Sequence, residues 1–306
     1  RSSHKEAEQN ISIESFAKAL KEALKLHREY PGNATSLANK SASFSEFKFP
    51  QDYPQLEGRF QPWLDFDGQL AASCIHCHMI GEADRRYRRA QKNRLPDKVI
   101  YPWPMPDVIG ISLDPAEMAT IRAIEKESIA EQQGFKTGDM IESLNQQPIL
   151  SIADVQWVLH QAPEPSRISA IIHRNGEKVT LELPLVKGWR RGSDIAWRTT
   201  SWDLRRMAAG GLKMRAMSAD EIKDSGLVPD RMALLIEHVG QYGDHATAKR
   251  AGFLKDDIVI SFDGKTESMR ETEVFAHILR ERPPGTRVEL KVIRKGKPLI
   301  FRFDVK

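Results

Sequence analysis

The chain has 306 residues, of which 40% are hydrophobic and 29% are charged, and its mean hydropathy is -0.48. This composition is typical of soluble globular domains, and the length predicts two or three of them. The sequence has no run of about 18 apolar residues, which excludes a membrane-spanning helix. The net charge of +4 is too small to indicate nucleic acid binding, so no nucleic acid partner is expected.

The N-terminus and the cysteine content limit the class of protein further. The sequence begins at Arg1 rather than Met, so we expect a processed or truncated product from which a signal peptide or N-terminal anchor is already missing. Only two cysteines are present. They are too few for a disulfide scaffold and too few for a zinc site of four cysteines.

Both cysteines lie in one motif, Cys74-Ile75-His76-Cys77-His78, which has the C-x-x-C-H pattern of c-type haem attachment. Two thiols three residues apart can each form a thioether with one vinyl group of the porphyrin, and the histidine that follows can bind the iron. The motif therefore predicts one covalent haem c on Cys74, Cys77 and His78. A thioredoxin-like redox pair and a zinc site are the alternatives.

A second axial ligand to the iron is predicted at Met105. Three prolines stiffen the segment 101–106 around this residue, and the segment resembles the Met-Pro loop of small class I cytochromes c. The alternative ligand is His27, on the apolar stripe of a predicted helix over residues 11–30. An open site is the third alternative, and peroxidase-like activity would require one.

A short basic helix is predicted directly after the motif, over residues 81–90. Its arginines are suited to neutralising haem propionates or to binding an acidic redox partner. The alternative is a solvated helix face. Residues 1–106 are therefore predicted to form a small, mainly α haem-binding region.

A diverged internal repeat begins at about residue 107. Residues 134–145 (GFKTGDMIESLN) align with residues 252–263 (GFLKDDIVISFD). Each copy is followed by an amphipathic helix, predicted at 151–161 and 269–280, and then by two strands around a basic turn.

This order of elements resembles two PDZ domains of the permuted bacterial kind found in HtrA-type periplasmic proteases. The sequence departs from the family pattern at Gln146 and Asp256, where glycine is usual. The resemblance implies two α+β, partly open β-barrels in a multidomain chain. The predicted domains are a haem-binding domain at 1–106, PDZ-like domain 1 at 107–187, a Trp- and Arg-rich linker at 188–209 and PDZ-like domain 2 at 210–306.

The resemblance also implies a binding mode and its residues. In such domains the backbone N–H groups of a loop hold a peptide carboxyl terminus, and the peptide pairs as an added strand beside a helix. The implied loops are Val108, Ile109, Gly110 and Ile111 in the first copy and Gly211, Leu212, Lys213 and Met214 in the second. The implied pocket residues are Val155 and Leu159 in the first helix and Val274 and Ile278 in the second. Closed or occupied grooves are the alternative.

The sequence contains no G-x-S-x-G or comparable nucleophile segment, so we predict that the chain is not an enzyme and that HtrA-type proteolysis does not carry over. The predicted function is electron transfer, or sensing of redox state or a gas, by a periplasmic c-type haem protein. The PDZ pair would tether it to protein C-termini or exposed strands. A redox partner protein and a homodimer are further expectations. The alternative function is a PDZ adaptor in which the C-x-x-C-H segment is a zinc or thiol-redox element.

Overall fold

The computed structural model describes residues 12–38, 47–59, 66–68, 76–117 and 119–306, which form two compact units. The first unit combines the described part of residues 1–43 with that of residues 101–197. The second unit combines the described part of residues 44–100 with residues 198–306. The predicted haem-binding region is thus shared between the two units, and its described residues show no separate mainly α module.

The described residues contain helices of one to several turns. The α-helices are α1 (Ile13–Glu29), α2 (Ala34–Leu37), α3 (Cys77–Ala90), α4 (Asp97–Ile100), α5 (Ile129–Gln132), α6 (Ile152–Gln161), α7 (Ser201–Ala209), α8 (Ala219–Asp224), α9 (Thr247–Ala251) and α10 (Glu271–Glu281). Short 3-10 helices span Pro50–Asp52, Pro54–Leu56, Pro106–Ile109, Trp189–Gly192 and Gly243–Ala246. Within this part of the chain, no helix is both long enough and apolar enough to cross a membrane.

The strands of the described chain form three antiparallel sheets. They are β1 (Ile111–Leu113), β2 (Ile121–Ile124), β3 (Met140–Leu144), β4 (Gln147–Pro148), β5 (Ser166–Arg174), β6 (Glu177–Leu185), β7 (Leu212–Ala216), β8 (Leu234–Val239), β9 (Ile258–Phe262), β10 (Arg287–Arg294) and β11 (Lys297–Asp304). The sheet orders are β1-β2, β4-β3-β5-β6 and β11-β10-β9-β8-β7. The sheets are open, and within the described residues β1 and β7 each have a free edge, one without a neighbouring strand.

The core of the first unit lies between its sheets and α6. Ile168, Ala170 and Ile172 alternate along β5 and are fully buried, as the period of two in a strand requires. They belong to the same apolar cluster as Val155 and Leu159 of α6.

The second unit repeats this pattern with β10 and α10. Val288, Leu290 and Val292 alternate along β10 and are fully buried. The described part of residues 44–100 also belongs here, since Leu95 N donates to Leu279 O of α10 at 2.8 Å. Residues on both sides of residues 101–197 in sequence therefore belong to one unit.

The same arginine–aspartate contact occurs once in each copy of the repeat. Arg174 Nε donates to Asp139 Oδ1 at 2.7 Å, and its Nη2 donates to Gly134 O at 2.7 Å. In the second domain Arg294 Nε donates to Asp257 Oδ1 at 2.6 Å, and its Nη2 donates to Gly252 O at 2.8 Å. These two Arg–Asp clamps fix the Gly turn of the repeat to the end of a long strand. They are the structural counterpart of the repeat in the sequence.

Candidate functional site

Each free-edged strand starts from a glycine that nothing larger can replace. Gly110 has φ +83°, and a Cβ there would lie 2.1 Å from Ser128 Cβ. Gly211 has φ +89°, and a Cβ there would lie 1.9 Å from His245 O. Both the left-handed backbone and the close approach favour glycine. These glycines lie in the two loops to which the family resemblance assigned carboxylate binding.

Alternate backbone amides of β1 point to its free edge. Gly110 O accepts from Glu125 N at 2.9 Å, so the backbone of Gly110 faces β2. Because N–H groups alternate in direction along an antiparallel strand, those of Ile111 and Leu113 point away from β2. The corresponding outward amides of β7 are those of Leu212 and Met214. A peptide strand added to either edge would use these groups.

In the first domain, the segment before Gly110 packs along α6. The Trp103 ring stacks on the His160 ring with centroids 4.1 Å apart, and Gln156 Nε2 donates to Trp103 O at 3.1 Å. The same amide donates to Met105 Sδ at 3.3 Å, and Met105 is buried in the core of the unit. Ring stacking and hydrogen bonds therefore hold this segment on α6, which we call the groove helix of this domain, as α10 is of the second.

In the second domain, α7 packs against α10 through a buried ion pair. Arg205 Nε lies 2.9 Å from Glu271 Oε1, and Nη2 lies 2.6 Å from Oε2, so the pair is bidentate. Only 1% of Arg205 and 3% of Glu271 are exposed. Glu271 Oε1 also accepts from Met214 N at 2.8 Å. A carboxylate thus already occupies one of the outward amides that a peptide would need.

Burial of the charged Glu271 side chain costs free energy. Burial raises the pKa of its carboxyl group above the usual value, although the hydrogen bonds and charge of Arg205 act in the opposite direction. Glu271 therefore depends on Arg205 for its charge to be tolerated in the core.

The predicted pocket residues are all located on the groove helices and are all buried. Val155, Leu159 and Ile278 have no exposed surface, and 1% of Val274 is exposed. None of them lines an open groove in this structure. A peptide side chain can reach them only after the packing around the helix has changed.

The sequence analysis missed Arg205 and Glu271. It assigned Arg205 to the predicted linker, whereas the structure places it in α7. The available signal was the spacing of Leu204, Met207 and Ala208, which are all buried. That i, i+3, i+4 pattern is typical of one face of a packed helix.

The other half of the predicted linker is part of the first unit. Trp189 belongs to the apolar core of that unit. The buried Arg190 caps the C-terminal end of α6, because its Nη2 donates to Leu159 O at 2.9 Å and to Ala162 O at 2.8 Å. Its Nη1 also pairs with Glu164 at 2.7 Å.

The C-x-x-C-H motif is only partly described. Cys74 lies outside the described residues, as does the side chain of Cys77, whose backbone begins α3. His78 is exposed, and its Nδ1 lies 3.5 Å from Glu82 Oε1 on the next turn. Among the described residues, no group of three or more His, Cys, Asp or Glu side chains is arranged to hold a metal ion.

Comparison with known proteins finds similarity to a PDZ domain family and to DegP-like proteins. A PDZ domain family model matches residues 120–174. The chain is 26% identical over 198 residues to a probable periplasmic serine endoprotease DegP-like of Marinomonas sp. (strain MWYL1), covering 64% of this chain and 39% of the relative. It is 22% identical over 196 residues to a protein of the same description from Pseudomonas putida (strain GB-1), with 64% and 39% covered. The chain thus spans about 39% of the length of these relatives.

A solved structure of an HtrA-type protease with a decapeptide is 14% identical to the chain. That likeness covers 61% of this chain and 53% of the other, with a TM-score of 0.31. The predicted PDZ domain and the similarity to HtrA proteins are confirmed by the family match and the DegP-like relatives. The periplasmic relatives are also consistent with the predicted location outside the cytoplasm.

The haem prediction is wrong. The relatives are DegP-like serine endoproteases, a class without a haem cofactor, so haem c on Cys74, Cys77 and His78 has no support. Met105, the predicted iron ligand, is instead a core residue whose sulfur accepts a hydrogen bond from Gln156. The predictions of electron transfer, of redox or gas sensing and of a redox partner are corrected with it.

The prediction that the chain is not an enzyme is also wrong. It relied on the lack of a recognisable nucleophile motif in the sequence. The relatives are named as serine endoproteases, and the chain matches about 39% of their length.

Proposed function

We propose that this protein acts in periplasmic proteolysis of the DegP type, and that this chain binds the substrates. Its two PDZ-like domains would receive protein C-termini or exposed strands. The match of residues 120–174 to the PDZ family and the DegP-like relatives support this function. The predicted homodimer stays a prediction.

One observation carries the proposal. In each domain a glycine, Gly110 or Gly211, leads into a strand with a free edge, and a helix with buried apolar residues belongs to the same domain core. Free strand edges present unpaired N–H and C=O groups that pair readily with an extended peptide. Peptide binding by strand addition is the chemistry that this arrangement supports best.

The first domain is proposed as the primary peptide site. Its groove helix α6 is covered by Trp103, which is 42% exposed and stacks on His160. The second domain has its Met214 amide bonded to Glu271, so a peptide must break a buried hydrogen bond there. Displacing a partly exposed ring costs less than separating a buried ion pair from its hydrogen-bond partner.

Amide hydrogen exchange of the intact chain with an unstructured peptide that ends in an apolar residue tests this order. We expect slower exchange at Ile111 and Leu113 of β1 at peptide concentrations that leave Leu212 and Met214 of β7 unchanged. The matched control is the same peptide with an amidated C-terminus, which removes the carboxylate and should weaken binding. Protection of β7 alone, or equal binding of both peptides, would contradict the proposal.

The proteolytic part needs a separate measurement. A fluorophosphonate probe labels the activated serine of a serine protease covalently. We expect labelling of the protein purified from its native source, together with cleavage of unfolded casein that the probe abolishes. Absence of both, in a sample that still binds peptide, would reduce the function to peptide binding alone.

A further inference from the structure

The second unit contains a cavity of about 870 Å³ that peptide binding does not use. Its wall includes Arg86 and Arg89 of α3, Arg206 of α7 and His245 of the 3-10 helix at 243–246. With Lys306, the wall has four cationic side chains against the two carboxylates of Asp244 and Asp304. The cavity is therefore a basic one.

Arg89 is the most unusual residue of this wall. It is 4% exposed, and its Nε and Nη1 donate to the backbone oxygens of Lys306 and Arg282, each at 2.8 Å. Within the described residues, its Nη2 has no hydrogen-bond partner. Burial, with the nearby charge of Arg206, lowers the pKa of Arg89 to about 10. A buried cation with an unused donor is costly unless an anion compensates it.

The carboxylates around the cavity are already shared among several cations. Asp203, behind the wall, lies 3.4 Å from Arg85, 3.0 Å from Arg86 and 3.0 Å from Arg206. One carboxylate thus serves three guanidinium groups.

The two carboxylates in the wall are also engaged. Asp244 lies 3.7 Å from Arg206 Nη1 and 3.3 Å from Lys306 Nζ, and half of its side chain is exposed. Asp304 pairs with Arg287 at 3.1 Å. Arg86 also lies 3.8 Å from Glu82 Oε2, and the lining residues hold four cationic side chains against two carboxylates.

We propose that this cavity binds a soluble phosphate monoester, with the phosphate group beside Arg89 and Arg206 and the organic part in the remaining volume. Guanidinium groups match phosphate oxygens in geometry, and a dianion compensates more positive charge than a single carboxylate does. The cavity is many times larger than a water molecule's share of about 30 Å³, so it has room for more than the phosphate group. The site is independent of the peptide grooves.

The test is a titration of the intact chain with inorganic phosphate and with glycerol 3-phosphate at constant ionic strength. Burial and the charge of Arg206 hold the pKa of His245 below its usual value. A bound anion offsets that charge, so both probes should raise the pKa of His245, as followed by NMR of its ring. Glycerol 3-phosphate should bind more tightly than phosphate. Citrate, a carboxylate probe, should bind more weakly than both.

The exposed Ala90, at the end of α3, provides a variant that removes no packing. Ala90→Glu places a carboxylate at the cavity wall and should weaken glycerol 3-phosphate binding by about tenfold or more. Ala219→Glu makes the same charge change on exposed α8, away from the cavity, and should leave the affinity unchanged.

Three results would overturn the proposal. They are an unchanged His245 pKa with both phosphate probes, citrate binding as tight as glycerol 3-phosphate, and equal effects of the two Glu variants. Binding of phosphatidic acid vesicles without binding of glycerol 3-phosphate would replace the soluble ligand with a lipid and would also overturn it.

Discussion

The two PDZ-like domains share their Arg–Asp clamps but differ where the groove helix begins. α6 begins at Ile152, which is buried in the apolar core of the first unit. α10 begins at Glu271, which is equally buried but charged and paired with Arg205. In both domains, the segment before the glycine that leads into the free-edged strand (Gly110 or Gly211) packs on the groove helix. In the first domain Trp103 makes this contact by stacking, and in the second α7 makes it through the ion pair.

The shared clamps belong to the framework of each domain, whereas the contacts that differ belong to its groove. The clamps recur in both copies, and each one fixes a Gly turn (Gly134 or Gly252) to the end of a long strand. The groove contacts differ because apolar packing and a buried ion pair are two ways to cover the same helix. The ion pair is the more demanding of the two, since loss of one partner leaves a buried charge.

The largest effect is expected from Arg205→Met. The change leaves the Glu271 carboxylate buried without its cation and should destabilise the second unit by about 3–5 kcal/mol. Hydrogen exchange of β7–β11 amides measures this loss, with β3–β6 of the first unit as the internal reference. The double variant Arg205→Met/Glu271→Gln should recover most of it, since no charge remains and the amide oxygen can still accept from Met214 N. Wild-type protection in the single variant would contradict a role of the pair in closing the groove.

Weakening the clamp should lower the free energy of unfolding by the same amount in either domain. Asp139→Asn and Asp257→Asn each weaken a bidentate contact to an arginine, which typically costs about 1.5–3 kcal/mol. Urea unfolding followed by exchange in each unit compares the two variants directly. Clearly unequal losses would show that the clamps are not equivalent parts of one repeated framework.

Acid should weaken the second unit through Asp203. Burial alone would raise the pKa of this carboxyl group, but Arg85, Arg206 and Arg86 together hold it below the usual value of 3.8. Its stabilising contribution is therefore present above about pH 4 and is lost as the pH falls through the lowered pKa. In Asp203→Asn, the free energy of unfolding of the second unit should fall less steeply as the pH is lowered. The opposite contribution of Glu271, with its raised pKa, is common to both proteins and cancels in the comparison. An unchanged pH dependence of stability would contradict this role of Asp203.

The smallest effects are expected on the exposed strand faces. Arg167 and Glu182 pair at 3.0 Å in the first domain, and Arg302 and Glu289 pair at 2.6 Å in the second. Arg167→Ala and Arg302→Ala should each cost less than about 1 kcal/mol, because exposed pairs are well solvated. Thermal unfolding of both variants measures this. A loss as large as that of Arg205→Met would contradict the contrast between buried and exposed pairs.

Local periodicity predicted several helices well. The predicted helices at 11–30, 151–161 and 269–280 correspond to α1 (Ile13–Glu29), α6 (Ile152–Gln161) and α10 (Glu271–Glu281). Such patterns depend on neighbours three or four residues apart, which a sequence shows directly.

Long-range partners could not be predicted in the same way. Arg205 and Glu271 are 66 residues apart, and Arg85 and Asp203 are 118 residues apart. Nothing in the local sequence links these residues. The apolar stripe of α1 makes the same point, since 84% of Ile13 and 61% of Phe16 remain exposed. Periodicity predicted the helix but not what it packs against.

The C-x-x-C-H motif led to the wrong function for a related reason. Five residues define a chemical possibility, but the surrounding fold decides whether it is realised. The repeat after residue 107 involved many more residues at matched positions. It was therefore the better guide to the family.

The discontinuous second unit has a consequence for the order of folding. Arg86 of α3 pairs with Asp203, 117 residues later, and the first unit's residues 101–197 lie between them in the chain. α3 can pair with Asp203 only after a loop of 117 residues has closed, which is slower than the local strand pairing within the first unit. The first unit can therefore complete its own sheet while the arginines of α3 still lack Asp203. A chain in this interval would be open to chaperones and proteases at α3.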